Sequence, residues 1–258
     1  MKRLIIRPGA IGDTILSLPA IEHLRPAEIW APELNLPLLS HVAPASSLVA
    51  SGIDSLVPGP STLARLAQFN DIVSWYGAAR DDLRQRLSGL PVRFFPALPP
   101  ADSAEHATDF YLAQVQAPPG AVPRIPVDGG KQEFAVIHPF SGSRKKNWPL
   151  ERFQEVARLL PFPVRWCAGP DEPLEGAVRF DTLSALIPWL ASARLFIGND
   201  SGISHLAGAC GLPVVALFGP TDPRVWAPRG HVRAMRFGAS PEAVTAAAES
   251  LRLSRSFP

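Results

Sequence analysis

The sequence has few cysteines, few lysines and no long apolar run. Its two cysteines, Cys167 and Cys210, are too few for a secreted disulfide framework. Each lies in an apolar segment, as buried free thiols usually do. No stretch approaches the ~18 apolar residues that indicate a membrane span. The apolar run near residue 5 is too short for a signal peptide. These absences predict a soluble, cytoplasmic protein.

Several missing motifs exclude classes of function. No Asp-x-Asp triplet occurs, which argues against a transferase whose paired carboxylates hold a metal ion on a diphosphate. No Cys/His cluster has zinc spacing, so we predict no metal ligands. Neither Gly-x-Gly-x-x-Gly nor a P-loop is present, which disfavours a dinucleotide dehydrogenase. The net charge of +2, from 25 basic and 23 acidic residues, gives no reason to expect nucleic acid as a partner.

The chain does contain a regular alternation of short apolar runs and amphipathic segments. Hydrophobic residues make up 47% of the 258 residues, enough for a buried core. Strands are predicted over residues 4–6, 27–30, 71–75, 91–95, 134–138, 163–167, 194–197 and 213–218. Helices are predicted over residues 14–24, 79–87, 150–160, 182–191, 203–210 and 241–251. We expect Pro19 to kink or shorten the first helix. The alternation predicts an α/β protein with parallel sheets.

A segment rich in proline and glycine interrupts this alternation at residues 118–132, and we interpret it as a linker. Residues 1–117 then form one Rossmann-like domain and residues 133–258 a second, with a cleft between them. Ligands of such domains bind beyond the carboxyl ends of the strands. Four polar motifs follow predicted strands, and the binding site is expected among them.

The first motif spans residues 7–14, Arg-Pro-Gly-Ala-Ile-Gly-Asp-Thr. Gly9 and Gly12 allow the backbone to approach a ligand closely, and the start of a helix offers N–H groups to an anion. Asp13 has two interpretations. It either caps the helix, a common role for aspartate, or accepts a proton as a general base.

The second motif spans residues 138–149 and follows the first strand of the second half. Small residues such as Ser141 allow a ligand to come close, and the cations Arg144, Lys145 and Lys146 offset the charge of a diphosphate. The alternative is a solvated basic loop. The position at the end of a strand favours the diphosphate site.

The third motif spans residues 198–209, where a strand ends and a helix of small residues begins. The helix N-terminus, with the hydroxyl of Ser201, can bind a phosphate. Asp200 can accept hydrogen bonds from sugar hydroxyls or serve as the N-cap. His205 has apolar neighbours that favour a structural histidine. The fourth motif, residues 217–223, has turn chemistry and is expected to contribute to the cleft wall.

Taken in this order, the four motifs resemble those of glycosyltransferase family 9, the heptosyltransferases of lipopolysaccharide core assembly. The resemblance covers most of the second half and the first ~30 residues. It implies a GT-B fold, with two Rossmann-like domains facing a cleft, and inverting, metal-independent transfer. Residues 31–116 carry no motif of the family, and the N-terminal domain is shorter than in typical members.

The resemblance also implies roles for individual residues. Asp13 matches the general base, and Lys146 the lysine that holds the donor diphosphate. Asp200 matches the acidic residue at the donor sugar, and Glu172, more loosely, the glutamate at the ribose. The complete expected donor-binding set is Gly12, Ser141, Lys146, Glu172, Asp200, Ser201, Gly202 and His205. No cofactor is expected besides the ADP-sugar substrate, and no metal.

The expected partners are a nucleotide-sugar donor and a glycolipid or oligosaccharide acceptor. Arg80, Arg84, Arg86 and Arg93 are candidates for contact with an anionic glycolipid or the cytoplasmic face of the inner membrane, but the favoured interpretation is a solvated helix face. Two other functions remain open. One is a sugar-nucleotide epimerase or hydrolase of GT-B type, and the other is a degenerate nucleotide-binding scaffold without transfer activity.

Overall fold

The computed structural model describes residues 1–55, 57–127, 130 and 132–254. The chain forms two compact units, Met1–Ser103 with Ala107–Ala121 and Ala104–His106 with Val122–Pro258. The boundary after Ala121 falls inside the segment 118–132 that the composition marks as a linker. Positions 128, 129 and 131 of that segment lie outside the described residues. Among the helices of the described part, none combines the length and apolarity needed to cross a membrane.

The first unit contains a five-stranded parallel sheet. Its strands are β1 (Arg3–Ile6), β2 (Glu28–Ala31), β3 (Ala45–Ser47), β4 (Asp71–Ser74) and β5 (Val92–Phe94). Its helices are α1 (Ile11–Leu24), α2 (Leu36–Leu39), α3 (Leu48–Ser51), α4 (Pro60–Leu66), α5 (Asp81–Arg86) and α6 (Ala107–Gln114). The strand order is β3-β2-β1-β4-β5, so β1 lies at the centre.

The second unit contains another five-stranded parallel sheet. Its strands are β6 (Ala135–His138), β7 (Val164–Trp166), β8 (Leu195–Asn199), β9 (Val214–Phe218) and β10 (Val232–Arg236). Its helices are α7 (Leu150–Leu159), α8 (Leu183–Ala191), α9 (Gly202–Ala209), α10 (Pro223–Trp226) and α11 (Pro241–Leu253). The order is β10-β9-β8-β6-β7. The prediction of two Rossmann-like parallel-sheet units is confirmed, whereas a cleft between them stays a prediction.

The apolar runs form the cores, as expected for sheets covered on both faces. β9 is buried along its whole length, and β1 is buried from Leu4 to Ile6. In the second unit Trp148 is buried, and its ring meets the Phe153 ring edge-on at 5.1 Å. Trp148 is therefore a packing residue.

Several elements differ from the sequence-based expectation. β3 was not predicted because Ala-Ser-Ser has no apolar pattern, and β10 because its side chains are only half buried or exposed. The helix α1 begins at Ile11, three residues earlier than predicted, so Asp13 lies inside its first turn. α1 also runs continuously through Pro19 up to Leu24. Cys167 is buried, whereas Cys210 is only half buried.

Candidate active site

Each sheet has one point at which its strand order reverses, and the polar motifs lie there. In the first unit this point lies between β1 and β4, and the motif 7–14 follows β1 directly. In the second unit it lies between β6 and β8. The motif 138–149 begins at the end of β6, and the motif 198–209 at the end of β8. Crevices at the carboxyl ends of strands beside such a reversal are the usual ligand sites of open parallel sheets.

Asp13 is held in the first turn of α1 by one backbone bond. Its carboxylate oxygen Oδ2 accepts a hydrogen bond from the Ala10 N–H at 2.9 Å. Gly9, with φ +111°, makes this geometry possible, because a Cβ there would lie 2.9 Å from both Cβ and Oδ2 of Asp13. The capping interpretation of Asp13 is therefore realised in the fold. The role of general base remains a prediction, and a half-buried carboxylate in this position can accept a proton.

Beneath this turn lies a charged residue that the sequence reasoning overlooked. Arg7 follows β1 directly and has 0% exposure. Its Nη2 donates to the Asp13 carbonyl oxygen at 2.7 Å, and its Nε to Ser17 Oγ at 2.7 Å. The available signal in the sequence is an arginine directly after the apolar run Leu4–Ile6, because a charged residue that is buried there needs partners.

In the second unit, Lys146 and Asp200 form an ion pair. Lys146 Nζ lies 2.8 Å from Asp200 Oδ2, and the same oxygen accepts a hydrogen bond from Thr221 Oγ1 at 2.7 Å. Asp200 is 5% exposed, whereas about a third of the Lys146 side chain is exposed. The structure thus brings together residues of the second, third and fourth motifs. Thr221 was expected only as part of a turn, and its contact with Asp200 gives the fourth motif a direct place in the site.

Asn199, which is fully buried, connects the two loops that carry this pair. Its Oδ1 accepts a hydrogen bond from the Trp148 N–H at 2.9 Å, and its Nδ2 donates to the Pro139 carbonyl at 2.8 Å. Both partners belong to the loop after β6, while Asn199 ends β8. The amide therefore fixes the separation of the lysine-bearing loop from the Asp200 turn. The motif pattern predicts no separate role for Asn199.

Ser201, and not Asp200, is the N-cap of α9. Its hydroxyl oxygen accepts a hydrogen bond from the Ser204 N–H at 3.3 Å, and Ser204 Oγ in turn donates to the Asn199 carbonyl. The N-cap alternative for Asp200 is therefore wrong. Gly202 is the first residue of α9, so its N–H is one of the unpaired donors of the helix start, which attract an anion.

Glu172 is held by two bonds to the same oxygen. His138 Nε2 lies 3.0 Å from Glu172 Oε2, and the Gly169 N–H donates to Oε2 at 2.5 Å. Burial raises the pKa of Glu172, but the bonds from His138 and Gly169 outweigh it and place the pKa below its ordinary value. The carboxylate is thus ionised at neutral pH. Arg179 reinforces the loop by donating to the carbonyl oxygens of Glu172 and Leu174.

The other predicted residues lie around these groups. Ser141 Oγ is 2.8 Å from both the Ser143 carbonyl and Asn147 Oδ1, so its hydroxyl orders the lysine-bearing loop. Gly12 lies in the first turn of α1, and His205, in α9, is buried as the structural interpretation expects. Within the described part of the chain, no group of three or more His, Cys, Asp or Glu side chains could hold a metal ion.

The arginines considered for membrane contact mostly have acidic partners. Arg80 pairs with Asp82, Arg84 with Asp81, and Arg93 with Asp71. These pairs support the solvated surface that the sequence favours. Near Arg80, a cavity of about 450 Å³ opens at the carboxyl ends of β4 and β5. It is lined by Trp75, Gly77, Ala78, Ala79, Arg80, Pro96 and Ala97.

Comparison with known proteins finds a match between part of the chain and one protein family. Residues 176–249 match the family model described as glycosyltransferase family 9 (heptosyltransferase). Over this stretch the chain is similar to glycosyltransferase family 9. The matched region includes β8, the Asp200 turn, α9 and β9, so the similarity to the family rests on the second unit.

Curated relatives in the family align with part of the chain. Lipopolysaccharide heptosyltransferase 3 of Escherichia coli is 33% identical over an alignment of 122 residues, and the match covers 39% of this chain and 35% of that protein. Lipopolysaccharide heptosyltransferase 1 of Escherichia coli (strain K12) is 30% identical over 114 residues, 38% of this chain and 35% of the relative. The matched part of the chain thus spans about a third of the length of these relatives.

Solved structures extend the likeness to the fold of the whole chain. The ADP-heptose lps heptosyltransferase II of E. coli has a TM-score of 0.77 at 17% identity, covering 100% of both chains. The E. coli heptosyltransferase WaaC with ADP has a TM-score of 0.71 at 17% identity, covering 97% of this chain and 100% of that one. The family resemblance and the GT-B type of fold expected from the four motifs are thereby confirmed.

Proposed function

We propose that this protein is an inverting, metal-independent glycosyltransferase that moves a heptose or related sugar from an ADP-sugar to a lipopolysaccharide-core or other surface-glycan acceptor. The observation that carries the proposal is the Lys146–Asp200 pair, 2.8 Å apart at the strand-order reversal of the second sheet. The proposed setting is the cytoplasm, and contact with the inner membrane remains an expectation from the sequence.

The chemistry of the second unit supports binding of a diphosphate-linked sugar. Lys146 is paired with Asp200, but about a third of its side chain is exposed, so its ammonium group can also meet a diphosphate on the solvent side. The start of α9 adds the N–H of Gly202 and the partial positive charge of a helix terminus. Asp200 supplies carboxylate oxygens for sugar hydroxyls. Two of the solved structures that are similar to this chain are of the E. coli heptosyltransferase WaaC, one with ADP and one with ADP-2-deoxy-2-fluoro heptose.

The proposed reaction is a single displacement. Asp13 accepts the proton of an acceptor hydroxyl, and the oxygen forms a bond to the anomeric carbon as the bond to ADP breaks. The electron pair of that bond leaves on the terminal phosphate of ADP, where Lys146 and the α9 start stabilise the charge. Donors aimed at developing charge supply much of the rate enhancement in such reactions. The proposal requires Asp13 of the first unit to reach the sugar held by the second.

The nucleotide site is tested by calorimetric titration with ADP, UDP and GDP. We expect ADP to bind selectively, and Lys146→Ala to weaken it by about 10- to 100-fold, because the variant loses a charge-assisted bond to phosphate. Lys145→Ala is the matched control: it removes the neighbouring, exposed positive charge and leaves the loop intact. We expect it to change ADP affinity less than about threefold.

Transfer is tested with ADP-heptose and a truncated lipopolysaccharide core, following release of ADP. Selective binding of UDP or GDP would still agree with a glycosyltransferase of this fold, but it would contradict the proposal that the donor is an ADP-sugar. ADP binding without any transfer would favour the scaffold alternative. Equal loss of affinity in Lys145→Ala and Lys146→Ala would show that the loop acts only through its total charge.

A further inference from the structure

Arg7 is a buried cation that has no acidic partner in the described part of the chain. It has 0% exposure, and among the described residues no carboxylate lies within ion-pair distance of its guanidinium. Isolated buried charge is costly unless the group is fully hydrogen-bonded. Other partly buried arginines of this unit, such as Arg3, pair with an aspartate. The position of Arg7 therefore demands a separate explanation.

The guanidinium is satisfied by neutral groups from three neighbouring segments. In α1 it donates to Ser17 Oγ at 2.7 Å and to the Asp13 carbonyl at 2.7 Å. After β5, the Ala97 carbonyl lies 3.4 Å from Nη1. The Tyr111 ring of α6 lies over the cation, with its centroid 4.7 Å from Cζ. Cation–π contact of this kind stabilises a desolvated guanidinium.

The same groups hold the loop that lines the cavity of the first unit. Tyr111 Oη donates to the Ala97 carbonyl at 2.8 Å, and Gln114 Nε2 donates to the Pro96 carbonyl at 3.1 Å. Trp75, whose indole N–H donates to Gln114 Oε1, lines that cavity with Pro96 and Ala97. One hydrogen-bonded network, mostly part-buried, thus extends from the Asp13 turn to the cavity wall.

We propose that Arg7 is a positioning residue, which orders the Asp13 turn and the Pro96–Ala97 loop as one unit for the reaction proposed above. The inference rests on that proposed function for its catalytic meaning. Arg7 does not touch the ligand, because it is fully buried. It acts through the backbone of Asp13, whose side chain then presents its carboxylate from a fixed turn. Since the network is internal to the first unit, nucleotide binding by the second unit is expected to be independent of it.

The first measurement is the amide hydrogen exchange rate of Ala10, which NMR detects in the wild type and in the variants Arg7→Met and Arg3→Met. The Ala10 N–H donates to the Asp13 carboxylate, so its exchange reports the order of the turn. We expect exchange at least about tenfold faster in Arg7→Met and within about twofold of wild type in Arg3→Met. Arg3→Met is the matched control, since Arg3 begins β1, which Arg7 follows directly, and is bonded to Asp71. Unchanged exchange in Arg7→Met would overturn the inference.

The second measurement separates positioning from stability through kinetics. We expect Arg7→Met to lower kcat at least about tenfold, with ADP affinity and the KM for the nucleotide-sugar within about twofold of wild type. Arg7→Lys keeps the charge but cannot make all the bonds of the guanidinium, so it should recover only part of kcat. Equal kcat loss in Arg3→Met and Arg7→Met at equal Tm would contradict the inference.

Replacement variants, and a comparison of ADP binding with transfer, distinguish failure of the inference about Arg7 from failure of the proposed function. If Arg7→Met does not fold, Arg7→Lys and Ser17→Ala, which remove single bonds of the network, replace it in both measurements. If the wild-type chain binds ADP but transfers nothing, the proposed function fails, while the exchange at Ala10 still decides whether Arg7 orders the turn. If transfer occurs and Ala10 exchange does not respond to any of these variants, the inference about Arg7 fails alone.

Discussion

The two units have the same layers but handle charge in opposite ways at the point where the strand order reverses. In the first unit the cation, Arg7, is fully buried and bonds to backbone and hydroxyl groups, while the carboxylate of Asp13 is half exposed. In the second unit the carboxylate of Asp200 is buried, and the cation of Lys146 faces solvent. In the proposed reaction, the first arrangement presents a proton acceptor and the second presents a partner for phosphate. One sheet architecture thus supports two chemically opposite sites.

The strand orders differ as well. Numbered within its own unit, the first sheet has the order 3-2-1-4-5 and the second has 2-1-3-4-5. Both orders are known from doubly wound folds, and both place the reversal beside the first strand of the unit. The difference shows that the position of the reversal, and not the full strand order, is what brings a loop after the first strand into the site.

The largest effect is expected from Asp13, where the capping and basic roles can be separated. Asp13→Asn can still accept the Ala10 N–H bond through its amide oxygen, but it cannot take a proton. We expect kcat to fall by about 10²- to 10⁴-fold in both Asp13→Asn and Asp13→Ala, with ADP affinity unchanged. Steady-state kinetics and calorimetry measure the two quantities. Full activity in Asp13→Asn would leave Asp13 with a capping role alone.

The second-largest effect is expected from Asn199, whose loss should lower the stability of the second unit. Asn199→Ala leaves the buried Trp148 N–H and the Pro139 carbonyl without partners. We expect the free energy of unfolding to fall by about 2–4 kcal/mol, because each unsatisfied buried group costs about 1–3 kcal/mol. Urea denaturation monitored by tryptophan fluorescence measures the loss. Asn147→Ala, which removes a half-buried amide from the same loop, is the control and should cost about 1 kcal/mol or less. Equal losses in the two variants would mean that Asn199 does not carry the connection.

A third prediction tests whether Asp200 restrains Lys146. Asp200→Asn removes the charge that holds the lysine at 2.8 Å, so Lys146 becomes free for a diphosphate. We expect ADP to bind at least as tightly as in wild type, while transfer from ADP-heptose falls by about 10- to 100-fold because a charged hydrogen-bond acceptor for the sugar is lost. Thr221→Val, which removes a neutral bond to the same oxygen, should have the smaller effect on transfer. Weaker ADP binding in Asp200→Asn would show that the aspartate orders the lysine for binding.

The smallest effect is expected at the other end of the first sheet and depends on pH. Burial raises the pKa of Asp71, but bonds and charges of Arg93 and Arg3 outweigh it, so the pKa lies below its ordinary value of 3.8. A lowered pKa stabilises the fold above the unfolded value, and that contribution is lost as the pH falls through the folded value. Asp71→Asn should therefore be less stable than wild type at pH 7, with the difference shrinking below about pH 4. Urea midpoints at pH 7, 4 and 3 measure it, and a constant difference would contradict the assignment.

Much of the fold could be predicted because it depends on local patterns. Runs such as Val214–Phe218 are buried on both faces, and their continuous apolar character is visible in the sequence. β3 and β10 escaped prediction because edge strands need no apolar pattern. The start of α1 was misplaced because its N-cap is Ala10, which carries no capping side chain, while Asp13 bonds back from the first turn.

The site was predicted less completely, since contacts between distant motifs decide it. The motifs single out Lys146, Asp200 and Ser201, whose roles stay predictions. They do not predict the bond between Lys146 and Asp200, which are 54 positions apart. Arg7 was treated as part of a glycine-containing loop, and only the fold shows that it is buried. Asn199 and Thr221 are ordinary turn residues in the sequence and gain their roles from groups that the sheet brings to them.

The central place of β1 has a consequence for biosynthesis. Its partner on one side, β2, follows within a short stretch of chain, but Arg3 meets Asp71 of β4 across 68 positions. At roughly 5–20 residues per second, translation leaves that edge of β1 open for about 3–14 seconds. An apolar strand with an open edge is a template for wrong pairing. The nascent first unit is therefore expected to depend on ribosome-associated chaperones until β4 has been made, whereas the finished sheet has no such need.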